Sequence, residues 1–121
     1  DFVIQNHIQG TLIQCMYFVP GTPVYEANRD RLLHQDWSKY NGNAVHFPRR
    51  MTPYQLQLEH IRASRKIYSW RRLFSALVRE DPIHKLLFLG EFFWHMSVRS
   101  DLKKELPYLK RISEQAACAP H

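Results

Sequence analysis

With 121 residues the chain fits one domain and leaves little room for two. Hydrophobic residues make up 45% and charged residues 23%, which excludes a disordered chain, and its longest near-continuous apolar run, Leu86 to Trp94, falls well short of the roughly 20 residues that cross a bilayer. The net charge of +6 is concentrated: residues 49–79 hold eight basic side chains against Glu59 alone, a net of +7, leaving −1 for the rest. Cys15 and Cys118 lie too far apart in sequence to suggest a disulfide framework or a metal knuckle, so a reducing, cytoplasmic compartment is expected.

Asp1-Phe2-Val3-Ile4 has no signal-peptide pattern and reads as the middle of an element, with residues 2–7 as the last turns of a helix. Gly10 then permits a reversal. Residues 11–19, from Thr11 to Val19, are β-branched, aromatic and mostly apolar, the composition of a strand buried on both faces of a parallel sheet. Pro20-Gly21-Thr22-Pro23 ends it, and Thr22 with Pro23 caps a helix expected from Val24 to about Leu33. Residues 34–50 are irregular, with a turn at Asn41-Gly42 and a short extended piece, Ala44 to Phe47.

Thr52-Pro53-Tyr54-Gln55 has the form of a capping box and opens one long basic helix, expected to reach about Arg79. Asp81-Pro82 opens a second, to about Val98, that is apolar around most of its circumference and needs burial on more than one side. Asp101 is read as the start of a final helix that Pro107 kinks or restarts, with a frayed tail from Ala116. The sum is mainly α with one or two short strands. A lone strand of parallel-sheet character implies that its neighbours lie outside the chain, and its two unpaired edges predict a homo-oligomer that buries the strand and the Phe88 to Trp94 helix.

Three segments in this order carry a resemblance: Tyr17-Phe18-Val19-Pro20-Gly21-Thr22-Pro23-Val24-Tyr25-Glu26; Asp36-Trp37-Ser38-Lys39-Tyr40-Asn41-Gly42 with His46-Phe47-Pro48-Arg49-Arg50-Met51-Thr52-Pro53; and Tyr68-Ser69-Trp70-Arg71. Together they resemble the C-terminal portion of cobalamin-binding radical SAM proteins, of which relatives of the hopanoid methylases carry the arrangement. The resemblance runs from about Phe2 to Leu77. It implies that residues 1–33 are the last strand and helix of a truncated barrel and 34–121 a helical C-terminal extension. It implies a parent that uses S-adenosylmethionine (SAM), an iron–sulfur cluster and cobalamin, in the methyltransferase class, with the rest of that enzyme as partner. Barrel active sites lie at the C-terminal ends of strands, so the resemblance places Val19, Pro20, Gly21 and Thr22 near the SAM adenine of the parent. It also makes Trp37, Tyr40 and Phe47 candidates to line a large substrate pocket.

The family's Cys-x-x-x-Cys-x-x-Cys motif is absent, so neither cluster ligation nor autonomous catalysis is expected of this chain, and no catalytic or metal-ligating residue is assigned. No two histidines have i, i+4 spacing, no Gly-x-Ser-x-Gly elbow occurs, and four glycines form no phosphate-cradling loop. The rival reading is an autonomous helical module that binds a protein or a nucleic acid through Arg62, Arg65, Lys66, Arg71 and Arg72. Without a recognisable reading head a solvated or interdomain face is preferred for that helix. Membrane binding is not expected either, because the apolar helix lacks a segregated basic face.

Overall fold

The computed structural model of the protein describes residues 2–6, 8, 10–34, 36–40, 42–79 and 81–118, with the side chains of Ile4, Trp37, Arg79, Ala117 and Cys118 outside the description. Its helices are α1 (Phe2–Gln5), α2 (Pro23–Glu26), α3 (Pro53–Ile67), α4 (Trp70–Arg79), α5 (Pro82–Lys104) and α6 (Leu106–Cys118), with single 3-10 turns at Arg29–Arg31 and Trp37–Lys39. The architecture is mainly α. α3 packs on α5 and α6, while α4 folds back on α5.

The capping signals at Thr22, Thr52 and Asp81 form as read. Thr52 accepts from the Gln55 backbone N–H at 3.1 Å and Gln55 Oε1 accepts from the Thr52 N–H at 2.9 Å, a reciprocal pair that satisfies two orphan donors. Thr52→Ala is therefore expected to lower stability by about 1 kcal/mol in a denaturant titration, and Thr52→Ser to restore most of it. Asp81 accepts from the Ile83 and His84 N–H groups at the start of α5. Ser113 of α6 reaches across to accept from the Tyr54 N–H at 3.4 Å, at the first turn of α3.

The long basic helix is broken. α3 ends at Ile67 and α4 begins at Trp70, because Tyr68 (φ −101°, ψ 64°) leaves the helical region and turns its ring into the core, where it is 1% exposed among Leu73, Phe88 and Phe92. The freed carbonyls find cationic partners: Arg72 donates to Ile67 O at 2.9 Å and Arg99 to Tyr68 O at 3.3 Å. α5 instead runs past Val98 and Asp101 without interruption to Lys104. Pro107 restarts the chain as α6, sitting in its first turn where no N–H is needed. That helix continues through Ala116 to Cys118.

The predicted strand is extended but joins no ladder, and the β-type pairing among the described residues is one antiparallel bridge, Leu32 with His46. Side chains of α3 and its C-cap replace a neighbouring strand. Tyr68 Oη accepts from the Thr11 N–H at 3.1 Å and donates to Thr11 O at 2.9 Å, and His60 Nε2 lies 3.0 Å from Ile13 O. Burial on both faces is not found. Thr11, Ile13 and Cys15 turn inward while Leu12, Gln14 and Met16 face out, the period-2 alternation of a half-buried strand. Residues expected as one helix after Val24 divide into α2 and the 3-10 turn, and Arg31 is drawn away to Phe47, its Nε donating to Phe47 O at 3.1 Å. Backbone bonds from Leu33 N to Val45 O (2.9 Å) and Phe47 N to Arg31 O (2.8 Å) tie residues 31–33 to 45–47.

α5 buries Phe88, Phe92, His95 and Leu102 along one seam, spaced by three, four or seven residues. Leu89 and Val98 are half-buried, while Ile83, Leu86, Leu87, Phe93 and Trp94 are exposed, as are Trp70, Phe74 and Val78 of α4. Among the described residues no helix is long and apolar enough to cross a membrane.

Candidate functional site

The extended segment ends in a tight turn built by its sequence. Val19 O accepts from the Thr22 N–H at 3.2 Å and from Thr22 Oγ1 at 2.6 Å, around Pro20 and Gly21. Gly21 has φ +78°, the value required at the third position of a type II turn, with Pro favoured before it. Thr22 Oγ1 also accepts from the Tyr25 N–H, so one hydroxyl closes the turn and caps α2. Gly21 is exposed, and a side chain there would meet nothing within 4 Å. The turn thus presents open backbone at the end of the segment.

Two aromatic contacts bring the irregular stretch to this segment. Tyr17 meets Tyr40 edge-on at 5.8 Å and Phe18 packs on His46 at 4.8 Å. Tyr40 donates to His34 O at 3.2 Å, and burial, reinforced by Tyr25, raises its pKa above the usual phenol value. Phe47 is half-buried, its carbonyl occupied by Arg31. Trp37 lies in the 3-10 turn, and its side chain falls outside the described residues. Tyr40 and the residue before Phe47 therefore border the segment that leads to the Pro20-Gly21 turn.

Beneath the segment is a polar core that periodicity did not signal. Tyr68 Oη lies 3.0 Å from Glu91 Oε2, and a β-carbon added at Gly10 would come within 3.1 Å of Glu91 Oε1, so the chain crosses α5 closely at Gly10. Cys15 Sγ sits 3.4 Å from His60 Nδ1, and burial pushes the thiol up to about 11. Burial thus disfavours the thiolate, the form that acts as nucleophile or metal ligand. Among the described residues no group of three or more His, Cys, Asp or Glu side chains could hold a metal ion.

His95 stacks on Tyr68 at 3.8 Å and meets Trp94 edge-on. Burial, then Arg99, then His60 hold its pKa below 6.5. His46 is lowered in the same way, by burial and then by Arg31. A base whose folded pKa is depressed binds its proton more readily unfolded, so stability is complete above 6.5 and falls as pH drops through that value toward the folded pKa. The melting temperature is expected to be lower at about pH 5.5 than at about pH 7.5, with a smaller difference in His95→Gln.

A cavity of about 510 Å³ opens on the other side of the Tyr68 break, between the end of α3, the start of α4 and the last half of α5. Trp70, Phe92 and Met96 supply its apolar wall, and Arg65, Arg99 and Lys103 its charge. The basic stretch is thereby divided. Arg72 is committed internally, donating to Ile8 O at 3.1 Å and lying over the Phe88 ring, and Arg62 pairs with Glu59, while Arg65 faces the cavity.

No protein-family model matches the chain, and no solved structure matches it. Residues covering 56% of the chain are 33% identical, over 69 residues, to the bacteriochlorophyllide d C-12(1)-methyltransferase of Chlorobaculum tepidum, a match that spans 15% of that protein's length. Over that stretch the chain is similar to part of a methyltransferase.

Proposed function

We propose that the chain serves as a non-catalytic C-terminal part of a cobalamin-dependent radical SAM methyltransferase, closing its barrel edge and shaping its substrate pocket. The partial match to a methyltransferase carries this reading, and the residue patterns around Pro20–Thr22, Trp37–Phe47 and Tyr68–Arg71 agree with it. The chain's two cysteines, Cys15 and Cys118, cannot supply the three thiolates of the iron–sulfur cluster such an enzyme needs, and among the described residues Cys15 is buried beside His60. Cluster, SAM and cobalamin chemistry belong on this reading to the rest of the enzyme, and no step of it runs through these side chains. What the chain contributes is position: an exposed turn with open backbone at Pro20-Gly21 for the SAM side, and Trp37, Tyr40 and Phe47 for the substrate side.

The exposed side chains Leu12, Met16 and Val19, and the apolar face of α4 and α5, are on this reading surfaces that the remainder of the enzyme or another copy of the chain covers. The 121-residue chain alone is expected to form dimers or larger species by light scattering, and Trp94→Asp with Leu86→Asp to shift it toward monomer. A monomer at high concentration would count against that surface. The reading itself is tested by the coding sequence upstream of Asp1, which is expected to encode a Cys-x-x-x-Cys-x-x-Cys motif in the same frame. A stop codon in frame close upstream, with no such motif, would refute it.

A further inference from the structure

Three cations line one cavity with no acid among the described residues paired to them. Arg65 stands in the last turn of α3, and Arg99 and Lys103 lie one turn apart on α5, in line with Met96. Among the described residues no carboxylate forms an ion pair with any of the three. Arg99 uses one donor on Tyr68 O, which fixes the guanidinium at the wall and leaves its other N–H groups free to serve a ligand. Ser69 and Ser100 add hydroxyl donors at the rim. Burial and the nearby Arg65 charge both make Arg99's cationic form harder to hold. A folded chain that keeps two guanidiniums close without a counter-charge has a site that an anion relieves.

The opposite wall is apolar and aromatic. Trp70 and Phe92 meet edge-on at 4.8 Å, Phe92 is buried, and Trp70 stays more than half exposed toward the opening. A volume of about 510 Å³ lies in the range of small-molecule pockets, about 300–1,000 Å³, and a few convergent polar groups on an apolar lining are what such pockets use for orientation.

We infer that this cavity binds a small planar apolar molecule bearing a carboxylate or a phosphate, the oxyanion held by Arg65, Arg99 and Lys103 and the ring body against Trp70 and Phe92. The inference stands on the cavity's own geometry and does not rest on the methyltransferase reading. Guanidiniums suit it because their planar fork matches either oxyanion with two parallel hydrogen bonds, and the indole face offers the ring a stacking surface.

The test uses the 121-residue chain with 1-naphthoate, 1-naphthyl phosphate and the neutral 1-naphthylmethanol, followed by calorimetry and by the indole NMR resonance of Trp70. At least one of the anions is expected to bind saturably and shift that resonance, with the alcohol about tenfold or more weaker. Which anion binds tighter identifies the oxyanion. Arg99 also holds the Tyr68 carbonyl, so R65Q/K103Q, altering two exposed side chains, is the deciding variant. It is expected to weaken the anions by about tenfold or more while melting temperature and near-ultraviolet circular dichroism stay at wild type. Equal affinity for the alcohol, indifference to R65Q/K103Q, or no saturable binding of either anion would overturn the inference. So would a short polyglutamate peptide binding these residues where both naphthyl anions fail.

Discussion

Tyr68→Ala is expected to lower the stability of this chain by about 3–5 kcal/mol, close to the whole margin of a small domain. The residue is 1% exposed and serves the fold in three ways. Its ring fills the core between Leu73, Phe88 and Phe92 and stacks on His95. Its hydroxyl bonds both backbone groups of Thr11 and lies against Glu91. Its backbone makes the break that separates α3 from α4. Tyr68→Phe isolates the hydroxyl: the ring stays, Thr11 N–H and C=O lose their partner, and the expected cost is about 1–3 kcal/mol. Chemical denaturation of the three proteins checks the order. Hydrogen exchange at Thr11 should rise in Tyr68→Phe, and an unchanged rate would mean that the extended segment is held by something other than this hydroxyl.

Gln57→Ala is expected to cost about 2–4 kcal/mol, more than loss of its apolar atoms explains. Gln57 is 0% exposed on α3, and its amide is used at both ends. Oε1 accepts from the Ala44 N–H at 2.8 Å, while Nε2 donates to Asn43 Oδ1 at 2.7 Å and to Leu102 O at 3.2 Å. Leu102 lies in the last turn of α5, so its carbonyl is one that the helix cannot satisfy itself. Truncation leaves the Ala44 N–H and the Leu102 carbonyl buried without partners. Gln57→Glu is informative because a carboxylate still accepts from Ala44 but cannot donate to Leu102, so it should recover part of the loss at most. Equal stability of Gln57→Leu and wild type in urea would show that the amide network contributes nothing.

These two residues also mark where the sequence was legible and where it was not. Local chemistry was readable: Thr22-Pro23, Thr52-Pro53 with Gln55, and Asp81-Pro82 each announce a helix start, because the cap and its target lie within three residues. The end of α3 was not. No Gly or Pro stands near Tyr68, and the break is imposed by contacts with Thr11, Glu91 and Arg99, residues that are distant in sequence. The same applies to Asp101, which reads as a cap but is carried through by α5 because Leu102 is buried. Residues 11–19 have the composition of a strand and take an extended course. Their partners are the side chains of Tyr68 and His60, which no periodicity could announce.

The candidate site divides similarly. Pro20-Gly21 specifies its turn outright, since φ +78° at Gly21 is a glycine conformation. The cationic cavity draws on Arg65, Trp70, Phe92, Arg99 and Lys103, and it exists only because α3 stops where it does and α5 does not.

The most direct test is the intact mass and iron content of the native polypeptide that carries residues 1–121, isolated from its own cell. If the chain is the C-terminal part of a radical SAM methyltransferase, that polypeptide is far heavier than 14.5 kDa, contains the three-cysteine motif and carries an iron–sulfur cluster. A native product of 14.5 kDa, free of iron and of any partner bearing that motif, would contradict it.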